Sequence, residues 1–187
     1  MARCYSEGMA KRQTNKRTPV PCLVLISDAR NDAALERSLA RLPRGSALVF
    51  RHYHLPPAQR RVRFARLRRL ARAHGITVIG ARVPRGWGAD GVYGTPREIS
   101  ALPGLRLATA HSLAEVGAAV RARADAILLS PVFPTRSHPG GAVLGPVRFA
   151  LIARQSPVPV IALGGMTRRR AATLPVHGWA AIDGLTR

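Results

Sequence analysis

The sequence predicts a compact α/β protein of the (β/α)8 TIM-barrel type, and three observations support this prediction. Short apolar runs alternate with segments of helical periodicity along most of the chain. Eight such runs follow one another, most with a helical segment after them, which favours a barrel over an open sheet. The runs are continuously apolar, as in parallel strands covered on both faces. The 187 residues suffice for one such domain, although the fold usually takes at least roughly 200.

The first elements are marked by their composition and by their ends. Residues 22–28 (CLVLISD) form an apolar run, and residues 31–42 follow with helical spacing behind Asn and Asp capping residues. Residues 46–54 (SALVFRHYH) predict the second strand. Residues 56–75 predict a long helix, because proline stands at its start and glycine at its end. Residues 76–82 (ITVIGAR) predict the third strand.

The middle of the chain continues the alternation with shorter elements. Residues 88–94 (GADGVYG) contain a short fourth strand, and residues 95–102 predict a short helix. Residues 105–110 (LRLATA) predict the fifth strand, and residues 111–124 the helix after it. Residues 125–133 (DAILLSPVF) carry the sixth strand.

The last quarter of the chain predicts two helices and two strands. Residues 144–156 form the helix before the seventh strand, residues 158–165 (VPVIALGG). Residues 166–178 predict the next helix, and residues 179–185 (WAAIDGL) the eighth strand. The eighth helix is apparently missing, which suggests a barrel that is closed incompletely or by a partner molecule.

The strongly basic composition bears on the class of partner. There are 30 Lys and Arg against 9 Asp and Glu, a formal charge of +21. Such a surface attracts nucleic acid, anionic lipid or phosphorylated small molecules. Much of the charge lies in residues 1–20 and on several sides of the helix over residues 56–75. No aromatic residues are interleaved with it, so solvated surface charge is favoured over a nucleic-acid patch.

The amino-terminal segment and the cysteines bear on domains and compartment. Residues 1–20 are basic and polar and predict a disordered tail ahead of a barrel over residues 21–187. The tail lacks the apolar region of a secretory signal, and no run approaches the roughly 18 apolar residues of a membrane helix. Cys4 and Cys22 have no metal-ligand spacing and give no disulfide framework, which favours a reducing cytoplasm.

The candidate functional residues are those at the strand ends, because the loops there form the active site of TIM barrels. Gly164 and Gly165 let the backbone approach a ligand at a helix start, which suits a phosphate; an ordinary turn is the alternative. Residues 130–141 follow the sixth strand and carry hydroxyl, arginine and histidine side chains suited to phosphate or diphosphate oxygens; an irregular surface loop is the alternative. His111 follows the fifth strand, and a structural role at the helix start is favoured over an acid or base.

Four short motifs have the order and spacing of a known superfamily. Residues 124–135 (ADAILLSPVFPT) are similar to the pattern ADYVGxGPVFPTxTK, and residues 158–166 (VPVIALGGM) to IPVVAIGGI. Residues 107–115 (LATAHSLAE) are similar to GxSxHSxxE, and residues 90–94 (DGVYG) to DGVHLG. The chain thus resembles the thiamine phosphate synthase and thiazole tautomerase superfamily over roughly residues 21–185, as a divergent member.

The resemblance implies a transferase of thiamine biosynthesis that joins a pyrimidine diphosphate to a thiazole phosphate, releases pyrophosphate and uses Mg²⁺. It also implies phosphorylated small molecules as partners and a homo-oligomer. The positions that correspond to the family's functional residues are Arg51, Thr109 and His138 for catalysis, Thr135, Ser137, Gly164 and Gly165 for substrate binding, and Glu98 for the metal.

Several positions depart from the family pattern. They are Val49 for Gln, Tyr53 for Lys, Gly80-Ala81 for an Asn-Asp pair whose Asp holds Mg²⁺, His138 for a loop Lys, Asp183 for Ser, and Pro131 for the His of the tautomerase branch. These departures leave an alternative open: a catalytically degenerate barrel that binds a phosphorylated, thiamine-related ligand. A charge-driven nucleic-acid-binding protein is the third hypothesis.

Overall fold

The computed structural model describes residues 18–136 and 140–186, and its strands close into a parallel barrel. The strands are β1 (Leu23–Ile26), β2 (Ala47–Phe50), β3 (Thr77–Ala81), β4 (Gly91–Gly94), β5 (Leu105–Ala110), β6 (Ala126–Leu129), β7 (Val160–Ala162) and β8 (Gly178–Ala181). Each pairs with the next, and β8 also pairs with β1. This confirms the predicted fold class.

The expectation of an incompletely closed barrel is wrong. Leu23 of β1 stands in register with Trp179 of β8, and the Trp179 N–H donates to the Cys22 carbonyl over 2.9 Å. The last strand therefore completes the sheet from within the chain itself. A 3-10 helix, Asp183–Leu185, follows β8, and the described residues contain no α-helix after it.

In the part of the chain that the structure describes, six α-helices and two further 3-10 helices connect the strands on the outside. The α-helices are α1 (Leu35–Arg41), α2 (Pro57–Ala73), α3 (Pro96–Ile99), α4 (Leu113–Arg121), α5 (Gly145–Ala153) and α6 (Arg168–Ala171). The 3-10 helices are Ala29–Ala34, which begins at an Asp28 capping box, and Arg85–Trp87. Among the described residues, no helix is long and apolar enough to cross a membrane.

The helix predicted over residues 166–178 is much shorter than expected. Only α6 is helical, and Thr167 caps it by accepting from the N–H of Arg170. Pro175 has no N–H and disfavours helical backbone at Leu174, so the helix cannot extend to the predicted end. Leu174 is still buried and packs in the core against the outside of the barrel.

Alternation along the strands separates two apolar layers. One cluster takes alternate residues from strands all round the barrel, among them Val24, Val49, Leu107 and Ile161, and fills its interior. Two further clusters lie between the strands and the helices. Because all eight strands are parallel, their carboxyl ends and following loops meet at one end of the barrel.

Candidate active site

A cavity of about 990 Å³ opens at the carboxyl ends of the strands. It brings together the predicted site residues that the structure describes, namely Arg51, Glu98, Thr109, Thr135, Gly164 and Gly165. Ser137 and His138 lie outside the described residues. Six positions scattered over more than half of the chain are thus gathered at one place, which is where barrel enzymes bind their substrates.

The two glycines after β7 shape one side of the cavity. Gly164 has φ +97° and Gly165 has φ +60°, a region that side-chain-bearing residues rarely adopt. A Cβ on Gly164 would lie 2.7 Å from the Pro131 Cα, and one on Gly165 would lie 2.5 Å from the Pro134 carbonyl oxygen. The two loops therefore pack backbone against backbone at this point, and only glycine permits the approach.

Arg170 adds positive charge beside these glycines. Its guanidinium lies 4.5 Å from the centroid of the Phe133 ring and donates a hydrogen bond to the Gly165 carbonyl. Since α6 has only four residues, its dipole is weak, and the guanidinium is the stronger attraction for a phosphate. Sequence reasoning missed Arg170, because it belongs to a run of three arginines that looked like ordinary surface charge.

The opposite side of the cavity is built at the end of β2. The guanidinium carbons of Arg51, Arg60 and Arg82 each lie 5.5 Å from the centroid of the Tyr53 ring. Arg60 is structural, because it donates to the carbonyls of Arg51 (3.1 Å), Ala81 (2.6 Å) and Arg82 (2.9 Å). It thereby ties the ends of β2 and β3 together.

A buried polar network fixes the backbone of Arg51. The Arg51 N–H donates to Ser27 Oγ over 2.9 Å, and that oxygen lies 2.8 Å from His52 Nδ1. His52 Nε2 lies 2.7 Å from Asp32 Oδ1. Because a carboxylate only accepts, Nε2 carries the proton and Ser27 donates to Nδ1. Ser27 and His52 are fully buried, so this network positions Arg51 and offers no nucleophile to a substrate.

Arg63 of α2 completes the network from outside. Its Nε donates to Asp32 Oδ1 over 2.7 Å, and its terminal nitrogens donate to both carboxylate oxygens of Glu36. Burial raises the pKa of Asp32, but hydrogen bonds from His52 and Arg63 outweigh it and hold that pKa below its usual range. Burial lowers the pKa of His52 more than Asp32 raises it, so the imidazole is neutral at pH 7.

The pKa shift of His52 predicts a loss of stability on acidification. The unfolded chain holds a proton on this imidazole with the ordinary pKa of about 6.5, whereas the folded protein binds it less tightly. The free energy of unfolding should therefore fall between about pH 8 and pH 5.5, where lowered carboxyl pKa values leave the acids ionised. Urea unfolding at the two pH values measures this, and an unchanged midpoint would contradict it.

Glu98 lies at the cavity with both of its oxygens engaged. Oε1 accepts from Arg82 Nε over 2.7 Å, and Oε2 accepts from the Thr95 N–H over 2.8 Å and from its hydroxyl over 3.0 Å. The backbone bond at Thr95, followed by the contact with Arg82, lowers the pKa of Glu98. The carboxylate is thus ionised, and Arg82 neutralises its charge.

The floor of the cavity is lined by residues at the carboxyl ends of β4 and β5. Thr109 Oγ1 lies 3.4 Å from the Gly94 carbonyl oxygen. The His111 ring donates from Nδ1 to the Ser130 carbonyl over 2.8 Å, while Ser112 caps α4. His111 therefore packs between the ends of β5 and β6. Because Nδ1 is engaged, a role as acid or base would have to use Nε2. Burial raises the pKa of Tyr93 to about 12, so its phenol stays protonated.

The balance of charge in the cavity favours an anionic ligand. The described lining has four arginines, Arg51, Arg136, Arg148 and Arg170, against two acids, Glu98 and Asp183. The negative charge of Asp183 would repel a phosphate, but its carboxylate lies 3.6 Å from a guanidinium nitrogen of Arg30. The site can therefore attract phosphorylated molecules although both acids are present.

Within residues 18–136 and 140–186, one group of side chains has the composition of a metal site. Ligand atoms of Asp32, His52 and His54 lie within 4.8 Å of one another, and none of the three residues lines the cavity. Both ring nitrogens of His52 are already engaged, and Asp32 is paired with Arg63. The group is better explained as the polar network around Arg51 than as a metal centre.

Comparison with known proteins agrees with this geometry. A family model described as thiamine monophosphate synthase matches residues 23–185. The thiamine biosynthesis bifunctional protein ThiM/ThiE of Symbiobacterium thermophilum is 33% identical over 173 residues, 85% of this chain and 35% of that protein. A putative thiamine-phosphate synthase 2 of Aquifex aeolicus is 35% identical over 78 residues, 42% of each protein. The chain thus matches less than half the length of either relative.

A solved structure is similar along most of the chain. It is a thiamine phosphate pyrophosphorylase from Pyrococcus furiosus, with a TM-score of 0.73 and 25% sequence identity. The superposition covers 86% of this chain and 85% of that one. The similarity therefore extends round the whole barrel, beyond the motifs at the strand ends.

Proposed function

The chain belongs to the thiamine monophosphate synthase family, and on that premise we propose that it is a transferase joining a pyrimidine diphosphate to a thiazole phosphate. The observation that carries the proposal is one cavity lined by Arg51 at the end of β2 and by Gly164, Gly165 and Arg170 after β7. Two phosphorylated substrates require two separate anion sites that face each other. The reaction would release pyrophosphate and belong to thiamine biosynthesis in the cytoplasm.

The proposed roles divide the residues that line the cavity between the two substrates, with Arg51 and the loop after β6 serving the diphosphate. Arg51 and Thr135 bind the diphosphate, assisted by Ser137 and His138 of the same loop. Gly164 and Gly165 receive the thiazole phosphate through their backbone, next to Arg170. As the bond to the diphosphate breaks, negative charge accumulates on the departing group, and fixed guanidinium groups stabilise that charge.

Thr109 lies between the two sides. Its hydroxyl, directed at the Gly94 carbonyl, is 3.4 Å away and can turn towards a substrate at small cost. We assign it a catalytic role in orienting the substrates, together with the floor formed by Tyr93. The Thr109 hydroxyl offers both a hydrogen-bond donor and a hydrogen-bond acceptor to a substrate.

The Mg²⁺ that the family resemblance implies does not fit the described residues well. The metal Asp of the family pattern is absent at Gly80-Ala81, and the charge of Glu98 is neutralised by Arg82. Mg²⁺ prefers carboxylate oxygens in a near-octahedral arrangement, and one neutralised carboxylate offers little. No step of the proposed reaction is therefore assigned to the metal.

The second candidate is a barrel that binds a phosphorylated, thiamine-related ligand without turnover. Tyr53 and Ala81 favour it, because the resemblance expects a cation and a metal ligand there. Both candidates use the same cavity, and they differ only in product formation. A homo-oligomer is a further proposal, and sedimentation showing a monomer alone would remove it.

Direct measurement of thiamine phosphate tests the proposed function. The purified protein is given the pyrimidine diphosphate and the thiazole phosphate, with and without Mg²⁺. We expect turnover, and we expect Arg51→Ala to lower kcat/KM by about 100-fold or more, a loss of about 2.7 kcal/mol or more of transition-state stabilisation.

Arg121→Ala is the matched control, because this substitution removes the same charge as Arg51→Ala. Arg121 ends α4 at the opposite end of the barrel. Its kcat/KM should equal that of the wild type. Absence of product, together with calorimetric binding of either phosphorylated substrate, would refute the transferase and leave the second candidate. Equal losses in both variants would show that only overall charge matters.

A further inference from the structure

Resting on the proposed function, we infer that the diphosphate side of the cavity binds its anion without a resident Mg²⁺, with the Arg82 guanidinium supplying the positive charge in its place. The inference concerns the residues around Glu98 and Tyr53. It assigns Arg82 as a ligand-binding residue, a role that the sequence motifs do not give to this position.

The contacts of Glu98 are those of a carboxylate that already holds a cation. Oε1 is 2.7 Å from Arg82 Nε, and Oε2 closes a capping box with Thr95 at the start of α3. A Mg²⁺ ion would have to sit about 2.0–2.1 Å from one of these oxygens. On Oε1 it would lie within about 5 Å of the guanidinium, where two positive charges repel each other.

The fold holds the backbone of Arg82 in one conformation. Its backbone has φ +49°, an uncommon value for a residue with a side chain. Arg60 holds this backbone by donating to the carbonyls of Ala81 and Arg82. Backbone strain of this kind is retained where the surrounding structure enforces it, as it does at ligand-binding sites.

The position of Arg82 matches that of Arg51 across Tyr53. Both guanidinium carbons lie 5.5 Å from the ring centroid. Arg82 does not itself line the cavity, but it contacts two residues that do, Tyr53 and Glu98. The Arg82 side chain is 68% exposed, and Nε is the atom bound to Glu98. The terminal nitrogens thus remain to donate to a diphosphate, as a guanidinium does in phosphate recognition.

Inorganic pyrophosphate is the probe, titrated calorimetrically into the full chain in excess EDTA and again with Mg²⁺. We expect the wild type to bind it in EDTA, and Arg82→Ala to weaken that binding by about tenfold or more. Arg82→Asp places a second carboxylate beside Glu98, so its binding of pyrophosphate should become dependent on Mg²⁺. Arg121→Ala controls for the net charge of Arg82→Ala, and Arg121→Asp for that of Arg82→Asp.

The outcomes separate this inference from the proposed function. Wild-type binding that requires Mg²⁺, no binding in either condition, or an unaffected Arg82→Ala would each overturn the inference. Binding in EDTA without any thiamine phosphate formation would uphold it and refute the transferase. Turnover that depends on Mg²⁺ would do the reverse. Because Arg82 is exposed, its variants should unfold at the wild-type temperature, which a thermal melt checks.

Discussion

Gly164→Ala is expected to destabilise the protein by about 2–4 kcal/mol and to weaken binding of the thiazole phosphate by about tenfold or more. Two costs add up at this position. The φ of +97° is unfavourable for any side-chain-bearing residue. The new Cβ would also lie 2.7 Å from both Cα and Cβ of Pro131, so the loops after β6 and β7 must separate.

Gly45→Ala separates those two costs. Gly45 has φ +83°, but a Cβ there would meet nothing within 4 Å. It should therefore show the backbone cost alone, about 1 kcal/mol, and leave ligand binding unchanged. Urea unfolding gives the stability of each variant, and calorimetry with the thiazole phosphate gives the binding. Equal effects of the two substitutions, with intact binding, would show that Gly164 is an ordinary turn residue.

The parts of the fold that the sequence could predict are those encoded locally. Eight apolar runs and the Gly164-Gly165 pair are visible within a few residues, and the structure has both. Closure of the barrel is not visible in the sequence, because it depends on pairing between β1 and β8, which come from opposite ends of the chain. Helical spacing alone predicts a helix over residues 166–178, and Pro175 prevents the helix from reaching that end.

The candidate site shows a different limit of sequence reasoning. The family resemblance predicts Arg51 but neither Arg82 nor Arg170, because the chain has 30 Lys and Arg and their number hides the few that face a ligand. Ser27, His52 and Asp32 belong to no recognised motif, and they meet only through the fold. Glu98 was predicted as a metal ligand, and that prediction now competes with its pairing to Arg82.

The network around Arg51 gives the other large expected effect. His52→Ala should lower the free energy of unfolding by about 3–4 kcal/mol, because it removes a fully buried ring and leaves polar partners without a bond. The ring is stacked on Phe50 with centroids 4.6 Å apart, so packing is lost as well as hydrogen bonding. The adjacent, exposed His54→Ala should change stability by less than about 0.5 kcal/mol.

Ser27→Ala separates positioning of Arg51 from overall stability. It keeps the imidazole and its packing but leaves the Arg51 N–H without the acceptor that it has at 2.9 Å. We expect pyrophosphate affinity to fall about threefold or more, while the thiazole phosphate at the glycines of β7 binds as before. Equal weakening of both ligands would mean that the substitution loosens the whole barrel. Unchanged affinities would mean that the network stabilises the fold alone and does not position Arg51 for ligand binding.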